Sequence, residues 1–150
     1  MTSERGLWGS LRKHLSPFGK LERIENAAGI GTPDVAYCLR HPTADGVTPA
    51  RSGWLELKEL DAWPKRPLTP IRIPKLKLEQ VLWLESWDRA GGAAHALLQV
   101  ERAYFLLPPR TVRAIWDRQV TRAEINLFWL DARGESGSFP TRSLLKCLVR

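Results

Sequence analysis

Cysteine and histidine are scarce in this chain, which has two cysteines and three histidines among 150 residues. Cys38 and Cys147 have no metal-ligand spacing, and two cysteines make no disulfide framework. The histidines, His14, His41 and His95, form no Cys/His pattern either, so zinc sites and histidine-based metal centres are not expected. Cys38 falls within an apolar strand pattern, and we predict that it is a small core residue.

Long apolar runs are also missing. No stretch approaches the length of a membrane span, and the N-terminus has no apolar signal core, so we expect a cytoplasmic protein with no membrane partner. The chain shows no internal repeat and no low-complexity segment. A length of 150 residues is sufficient for one well-buried domain.

Positive charge is in excess, with a net charge of +7 and an isoelectric point near 9.9. Such a balance favours a polyanionic partner, because lysine and arginine contacts to phosphate supply a salt-sensitive share of affinity. The alternative is a basic protein that is simply soluble.

One short segment predicts a chemically active strand. Residues 54–58 alternate, so Glu56 and Lys58 share one face and their Cα atoms lie about 6.6 Å apart. A Gly-Thr-Pro turn precedes Asp34, and residues 34–39 are typical of a buried strand. Asp34 would therefore reach Glu56 from a neighbouring strand.

These three side chains suit a metal-dependent phosphodiesterase. Mg²⁺ prefers oxygen ligands and is usually held by one or two carboxylates plus a substrate phosphate, which fits Asp34 and Glu56. Lys58 would stabilise charge on the phosphorus or position the nucleophile. The alternative is a surface strand whose glutamate and lysine are only solvated, since Glu-x-Lys alone is common.

The motif Pro33-Asp34, followed after 21 residues by Glu56-Leu57-Lys58, resembles the PD-(D/E)XK nucleases. Further motifs are similar to phage-type VRR-NUC and Holliday-junction-resolvase-like endonucleases: Arg23-Ile24-Glu25-Asn26, Gly31-Thr32-Pro33-Asp34-Val35, Gly53-Trp54-Leu55-Glu56-Leu57-Lys58 and Gln80. The resemblance covers roughly residues 3 to 107. It implies an α/β fold with a restriction-endonuclease-like mixed sheet flanked by helices, dependence on Mg²⁺ or Mn²⁺, and cleavage of branched or other structured DNA.

The resemblance also assigns roles to individual residues. It implies metal binding by Asp34, Glu56, Leu57 and Glu4, and catalytic roles for Lys58, Glu25 and Gln80. Glu25 would be a further ligand or a water-positioning base, and Gln80 would hydrogen-bond a metal water or phosphate. Simpler alternatives remain open: Glu4 as a helix-dipole carboxylate, Glu25 in a surface salt bridge and Gln80 as a tolerated boundary residue. Arg23 would pair with Glu25 or contact a phosphate.

Residues 59–75 predict an extended basic arm, because four prolines there forbid a regular helix. Trp63 is expected to stack on an exposed base, and cationic side chains would follow the DNA backbone. These DNA-binding candidates are Lys65, Arg66, Arg72 and Lys75. The alternative is a solvated basic loop.

Periodicity and turn residues predict the remaining elements. The expected helices are Ser3 to Leu15, Lys75 to Ala90, Val112 to Val120 and Leu144 to Val149. The expected strands are Leu21 to Glu25, Ala93 to Val100 and Ala103 to Leu107, with a hairpin signal at Asp45-Gly46 in the loop from Arg40 to Ser52.

We divide the chain into a nuclease core, residues 1–107, and a C-terminal helical extension, residues 108–150. Its apolar segment Phe128-Trp129-Leu130 would pack on the core or at a dimer interface. A homodimer would match the two-fold symmetry of a four-way junction. Two other interpretations stay open, namely a flap, nicking or restriction-like nuclease and a non-catalytic DNA-binding protein on the same fold.

Overall fold

The computed structural model describes residues 4–24, 29–47 and 49–150. Its helices are α1 (Glu4–Leu15), α2 (Leu78–Arg89), α3 (Pro109–Trp116), α4 (Arg122–Ile125) and α5 (Thr141–Leu148). Its strands are β1 (Gly19–Arg23), β2 (Val35–Leu39), β3 (Pro42–Thr43), β4 (Gly46–Val47), β5 (Arg51–Leu60), β6 (Ala94–Val100) and β7 (Ala103–Leu107). None of the helices in these ranges is long and apolar enough to cross a membrane.

Five of the strands form one mixed sheet in the order β1-β2-β5-β6-β7. The pairs β1/β2, β2/β5 and β6/β7 are antiparallel, whereas β5 and β6 are parallel. Parallel neighbours need a long crossover, and the segment that contains α2 provides it. The predicted mixed sheet flanked by helices is therefore confirmed. The expected hairpin at Asp45-Gly46 is the small β3/β4 ribbon.

The two faces of the sheet carry two separate apolar cores. Leu55 and Leu57 of β5 face a core that includes residues of α1 and α5, such as Leu11 and Leu144. The opposite face packs against α2 and α3. Because side chains alternate along a strand, Glu56 and Lys58 lie on the face that α2 covers.

Residues 108–150 pack against both faces of the same sheet. Val112 and Ile115 of α3 join the core beneath α2, while Leu145 and Leu148 of α5 join the other core. The Leu130 amide donates to the Tyr104 carbonyl at 2.9 Å. This contact lies beside β7, the last strand of the sheet, and so helps to cover an edge that would otherwise expose unpaired backbone groups.

Several element boundaries differ from those predicted. The first strand begins at Gly19, because its ladder with β2 starts directly after the turn Ser16–Phe18, and it ends at Arg23. Helix α2 begins three residues later than expected, since the backbone of Lys77 is extended. Helix α3 ends at Trp116, and Arg118 has a φ of +59° that a helix cannot contain.

The prediction that Cys38 is a core residue is wrong. Val35, Tyr37 and Leu39 of β2 are buried on one face, and Cys38 lies on the opposite face, where its side chain is exposed. No charged residue marks the outer face of this strand, so the sequence alone does not indicate which of its side chains are exposed. The sequence of α2 also predicts a broad apolar face that includes Leu78, Leu82, Trp83 and Trp87. The buried face is narrower and consists of Val81 and Leu84.

Candidate active site

The site forms where β2 and β5 stop pairing. Their ladder ends at the pair Val35 and Leu55, and beyond it the Leu57 amide donates a hydrogen bond of 2.8 Å to Oδ2 of Asp34. The N–H and C=O of one strand residue point to the same side, so the Leu57 carbonyl lies on the Asp34 side of β5. The Leu57 side chain itself is buried in the core.

Glu56 carries a carboxylate that is almost fully buried, with 1% of the residue exposed. Its Oε1 lies 3.3 Å from Nζ of Lys58 and accepts a hydrogen bond of 3.1 Å from Nε2 of Gln80. Its Oε2 is buried and has no hydrogen-bond partner among the described residues. Burial, then the charge of Asp34, raises the pKa of Glu56 to about 9, against the opposing effect of Lys58.

Lys58 is buried beside Glu56, with 4% of the residue exposed. Its Nζ also donates to the backbone carbonyl of Lys75 at 3.3 Å. The lysine therefore connects the strand that carries Glu56 to the end of the predicted basic arm, and its ammonium group is held at a defined position.

Gln80 holds Glu56 through an amide whose two ends are both engaged. Its Oε1 accepts from the Lys77 amide at 3.0 Å, which caps the start of α2, and its Nε2 donates to Glu56. The expected partner of Gln80 was a metal water or a phosphate. The structure shows Gln80 holding the Glu56 carboxylate, and its predicted contact with a metal water or phosphate stays a prediction.

Gly31 lets the Asp34 loop approach α2 closely. Its φ is +85°, which favours glycine, and a Cβ atom at this position would overlap the carbonyl oxygen of Glu79 and crowd the backbone of Gln80. The loop before Asp34 therefore contacts the first turn of α2 directly. This contact fixes the position of Asp34 relative to Gln80.

Asp34 and Glu56 fit a divalent metal ion. In the part of the chain that the structure describes, the buried Oε2 of Glu56 has no hydrogen-bond partner. The Leu57 carbonyl, on the Asp34 side of β5, would provide a further oxygen. Mg²⁺ is commonly held by one or two carboxylates and keeps several waters. Within the described ranges no group of three or more His, Cys, Asp or Glu side chains could hold a metal.

The two additional acids stay predictions. Glu25 lies outside the described residues. Glu4 is the first residue of α1, and the position of its side chain lies outside what the structure describes. Neither the metal-binding nor the simpler interpretation of these acids is tested.

The predicted basic arm is irregular, as its prolines require, and is anchored at one end. Ile71 and Ile73 are buried, and the Ile71 amide donates to the Val120 carbonyl at 2.7 Å. The cationic side chains lie outward and exposed, which leaves their DNA-binding role a prediction: Arg23 of β1, and Lys65, Arg66, Arg72 and Lys75 of the arm.

Trp63 does not offer the open ring face that was expected. Its ring meets Phe105 edge-on at 5.4 Å between centroids, and the guanidinium of Arg122 lies 4.7 Å from its centre. The Trp63 ring therefore packs against Phe105 and forms a cation–π interaction with Arg122. This geometry does not favour base stacking by Trp63.

An aromatic cluster beside the site was not predicted. Trp83 and Trp87 of α2 stack at 4.9 Å with an interplanar angle of 12°, and Trp54 of β5 meets both edge-on. The sequence indicates one member of this cluster, because the alternation of residues 54–58 places Trp54 on the same strand face as Glu56. Periodicity alone placed Trp83 and Trp87 only in the apolar face of α2.

In a comparison with solved structures, the chain is similar to the 1.6 Å structure of Archaeoglobus fulgidus Hjc, a Holliday junction resolvase from an archaeal hyperthermophile. The TM-score is 0.50 at 17% identity, and the match covers 83% of this chain and 88% of that chain. No protein-family model matches the chain, and no curated protein sequence matches it. The structural match supports the fold, while membership of the phage-type VRR-NUC group stays a prediction.

We predict that Glu56→Gln gains in stability relative to the wild type as pH rises from 5 to 9 in EDTA. With a folded pKa near 9 against an ordinary 4.5, the Glu56 carboxyl keeps its proton in the folded protein and loses it on unfolding. Wild-type stability therefore falls across this range, and the glutamine variant does not show that fall. Thermal melts by circular dichroism at several pH values measure the difference.

The same melts test the metal site. Saturating Mg²⁺ is expected to raise the wild-type Tm by about 5 °C and to leave Glu56→Gln unchanged. Glu22→Gln, an exposed acid on β1, is the matched control and should behave as the wild type. A pH-independent difference would contradict the burial of Glu56, and an equal Mg²⁺ response in both proteins would contradict its role as a ligand.

We predict that Gly31→Ala disturbs the site, whereas Gly134→Ala costs only backbone strain. Both glycines have positive φ, +85° and +78°, but a Cβ at Gly134 meets nothing within 4 Å. Each change should cost on the order of 1 kcal/mol of strain. Gly31→Ala should cost more and should weaken the Mg²⁺-induced rise in Tm. Equal melting behaviour of the two variants would show that the loop does not depend on its contact with α2.

Proposed function

We propose that this protein is a metal-dependent, structure-selective DNA endonuclease that hydrolyses phosphodiester bonds in branched DNA, in the manner of a Holliday junction resolvase. The observation that carries the proposal is the meeting of Asp34, Glu56 and Lys58 on one side of the sheet, with Gln80 orienting Glu56. Oxygen ligands beside a fixed cation are what metal-assisted phosphodiester hydrolysis requires.

Asp34, Glu56 and the Leu57 carbonyl would hold the metal ion. When bound, Mg²⁺ or Mn²⁺ supplies Lewis-acid stabilisation of the phosphate and lowers the pKa of a coordinated water. Asp34 receives the Leu57 amide through Oδ2, so its carboxylate is oriented before any ligand arrives. Gln80 performs the same task for Glu56. Preorganised ligands of this kind need little rearrangement during the reaction.

Lys58 contributes positive charge next to the metal ligands. Its ammonium group is held by Glu56 on one side and by the Lys75 carbonyl on the other. A phosphate bound at the carboxylates would lie within reach of this group, which would stabilise negative charge on the non-bridging oxygens as it develops. Burial strengthens that interaction because little water screens it.

Three features support DNA as the substrate. The chain has a net charge of +7, and exposed cations line the arm that ends at Lys75, the residue whose carbonyl contacts Lys58. The arm therefore leads directly to the site, where it could follow a phosphate backbone. The similar fold belongs to a Holliday junction resolvase, which favours branched DNA among structured substrates. We further propose a homodimer, because a two-fold dimer would match a four-way junction.

Asp34→Asn and Glu56→Gln are each expected to abolish Mg²⁺-dependent cleavage, with a loss of at least about 10³-fold in rate. DNA affinity should change by no more than about twofold, since the exposed cations are untouched. Single-turnover cleavage of a labelled four-way junction and anisotropy binding in EDTA measure the two effects.

Asp45→Asn, an exposed acid in the β3/β4 hairpin, serves as the surface control. Glu25→Gln and Glu4→Gln, assayed beside it, decide whether either acid completes the site, because a slowed rate with normal binding would assign it there. Cleavage by Asp34→Asn or Glu56→Gln near the wild-type rate would overturn the proposed site. Strong junction binding with no metal-dependent cutting by the wild type would instead favour a non-catalytic DNA-binding protein.

Removal of charge at Lys65, Arg66 and Arg72 is expected to weaken junction binding and to reduce its salt dependence. For every phosphate that is no longer neutralised by a cation, the slope of log Kd against log salt concentration should fall by about 0.9. The Mg²⁺-induced rise in Tm should persist, because these side chains lie away from the carboxylates. Lys13→Gln, an exposed cation on α1, is the control.

A cleavage panel with light scattering tests the substrate and the dimer. The panel contains a four-way junction, a flap, a splayed arm, a linear duplex and a single strand. We expect a dimer that prefers the junction and cuts its opposing strands in pairs. A monomer that cuts flaps or duplex equally well would reject the resolvase interpretation and leave the nuclease chemistry intact.

A further inference from the structure

A largely apolar cavity of about 410 Å³ opens on the sheet face that carries Glu56. We call it the Trp87 slot. Its strand residues are Ala36, Cys38, Ser52 and Trp54, its helix-side residues are Trp87, Gly92 and Ala93, and Lys20 and Glu22 of β1 also line it. The function described above uses none of these side chains.

The slot lies next to the two carboxylates. Ala36 and Trp54 are cross-strand partners in the β2/β5 ladder. Ala36 follows Asp34 by two residues, and Trp54 precedes Glu56 by two residues, so each carboxylate is about 6.6 Å along its strand from the slot. A nucleotide whose phosphate binds at Asp34 and Glu56 therefore has the slot within reach of its base.

Trp87 presents a fixed aromatic surface to this cavity. It stacks on Trp83 and meets Trp54 at 5.9 Å with an interplanar angle of 76°. Its ring edge also packs so closely on Gly92 that a Cβ there would overlap the ring. Trp87 nevertheless remains 40% exposed. A ring that is already ordered loses little side-chain entropy when a ligand stacks on it.

The lining chemistry fits a nucleobase. A base has a flat π-face that stacks on aromatic side chains and a polar edge that forms hydrogen bonds. The slot offers indole surfaces, and Lys20, Glu22 and Ser52 provide polar groups. Lys20 and Glu22 form an exposed ion pair of 3.6 Å, so both stay accessible to the edge of a base.

We propose that the Trp87 slot binds one unpaired nucleobase, that of the nucleotide adjoining the scissile phosphate. This inference rests on the proposed endonuclease function and names the feature of DNA that the site would recognise. Bases in a linear duplex are paired and stacked, so filling the slot would require unstacking. At a branch point or bulge that cost is smaller. Selectivity for branched DNA would thus come from the binding of an unpaired base next to the phosphate that is cleaved.

The test is a double-mutant cycle between Trp87 and the base itself. Binding is measured by fluorescence anisotropy in EDTA, where no cleavage occurs, to three DNAs: a duplex with one bulged adenosine, the same duplex with an abasic residue at the bulge, and the fully paired duplex. Trp87→Ala should weaken binding to the adenosine bulge about tenfold. It should leave the abasic and paired duplexes unchanged, so the two deletions are not additive.

Three further variants test whether the loss of binding in Trp87→Ala comes from the slot or only from impaired folding. Trp129→Ala removes a tryptophan of similar exposure, 50%, that bridges β7 at the far edge of the sheet, and it should bind as the wild type. Trp87→Phe should restore most of the affinity for the adenosine bulge. Ala36→Leu, which fills the slot from its floor, should reproduce the loss with all tryptophans in place. Thermal melts verify that each variant folds.

An equal loss by Trp87→Ala on the adenosine and abasic bulges would overturn the proposal. A drop in molecular mass in light scattering, with equal losses on all three DNAs, would also overturn it and would identify the slot as an interface between two copies. Because binding is read without hydrolysis, base-dependent coupling in a protein that never cleaves DNA would refute the endonuclease function alone. Normal cleavage without coupling would refute the slot alone.

Discussion

The hydrogen bond from the Leu57 amide to the Asp34 carboxylate joins two strands at the point where their ladder has ended. A buried strand amide needs an acceptor, and here a side chain replaces the neighbouring backbone. Because the Asp34 side chain takes the place of a backbone acceptor, β2 and β5 can diverge beyond the end of their ladder. The hydrogen bond still joins the two segments. The hydrogen bond orients the Asp34 carboxylate next to the strand that carries Glu56 and Lys58.

The candidate site places charged groups in the protein interior, and their burial costs folding stability. Glu56 and Lys58 are withdrawn from water on one face of a central strand, and Lys58 does not compensate fully, because the pKa of Glu56 is still raised to about 9 by burial and by Asp34. Removing charged groups from water is unfavourable unless they are well paired. Under the proposed endonuclease function, a divalent cation would supply the missing positive charge, and the metal-free fold would give up stability for function.

The sequence was sufficient to predict the central elements because their signals are local. A period of two places Glu56 and Lys58 on one face wherever residues 54–58 form a strand, and the turn before Asp34 predicts the start of β2. The environment of Cys38 and the contacts of Trp63 depend on which elements cover each face, and no local pattern contains that information. The role of Gln80 was also unpredictable in detail, because its partner, Glu56, lies 24 positions away and is brought near only by α2.

Helix α2 contacts both the candidate active site and the proposed base slot. Its first turn contacts Gly31 and presents Gln80 to Glu56, while a later turn presents Trp87, stacked on Trp83, to the neighbouring cavity. A base stacked on the fixed Trp87 ring would contact the same helix that carries Gln80, and Gln80 hydrogen-bonds Glu56. Under the proposed function, α2 would thus set both the position of the base and the orientation of Glu56.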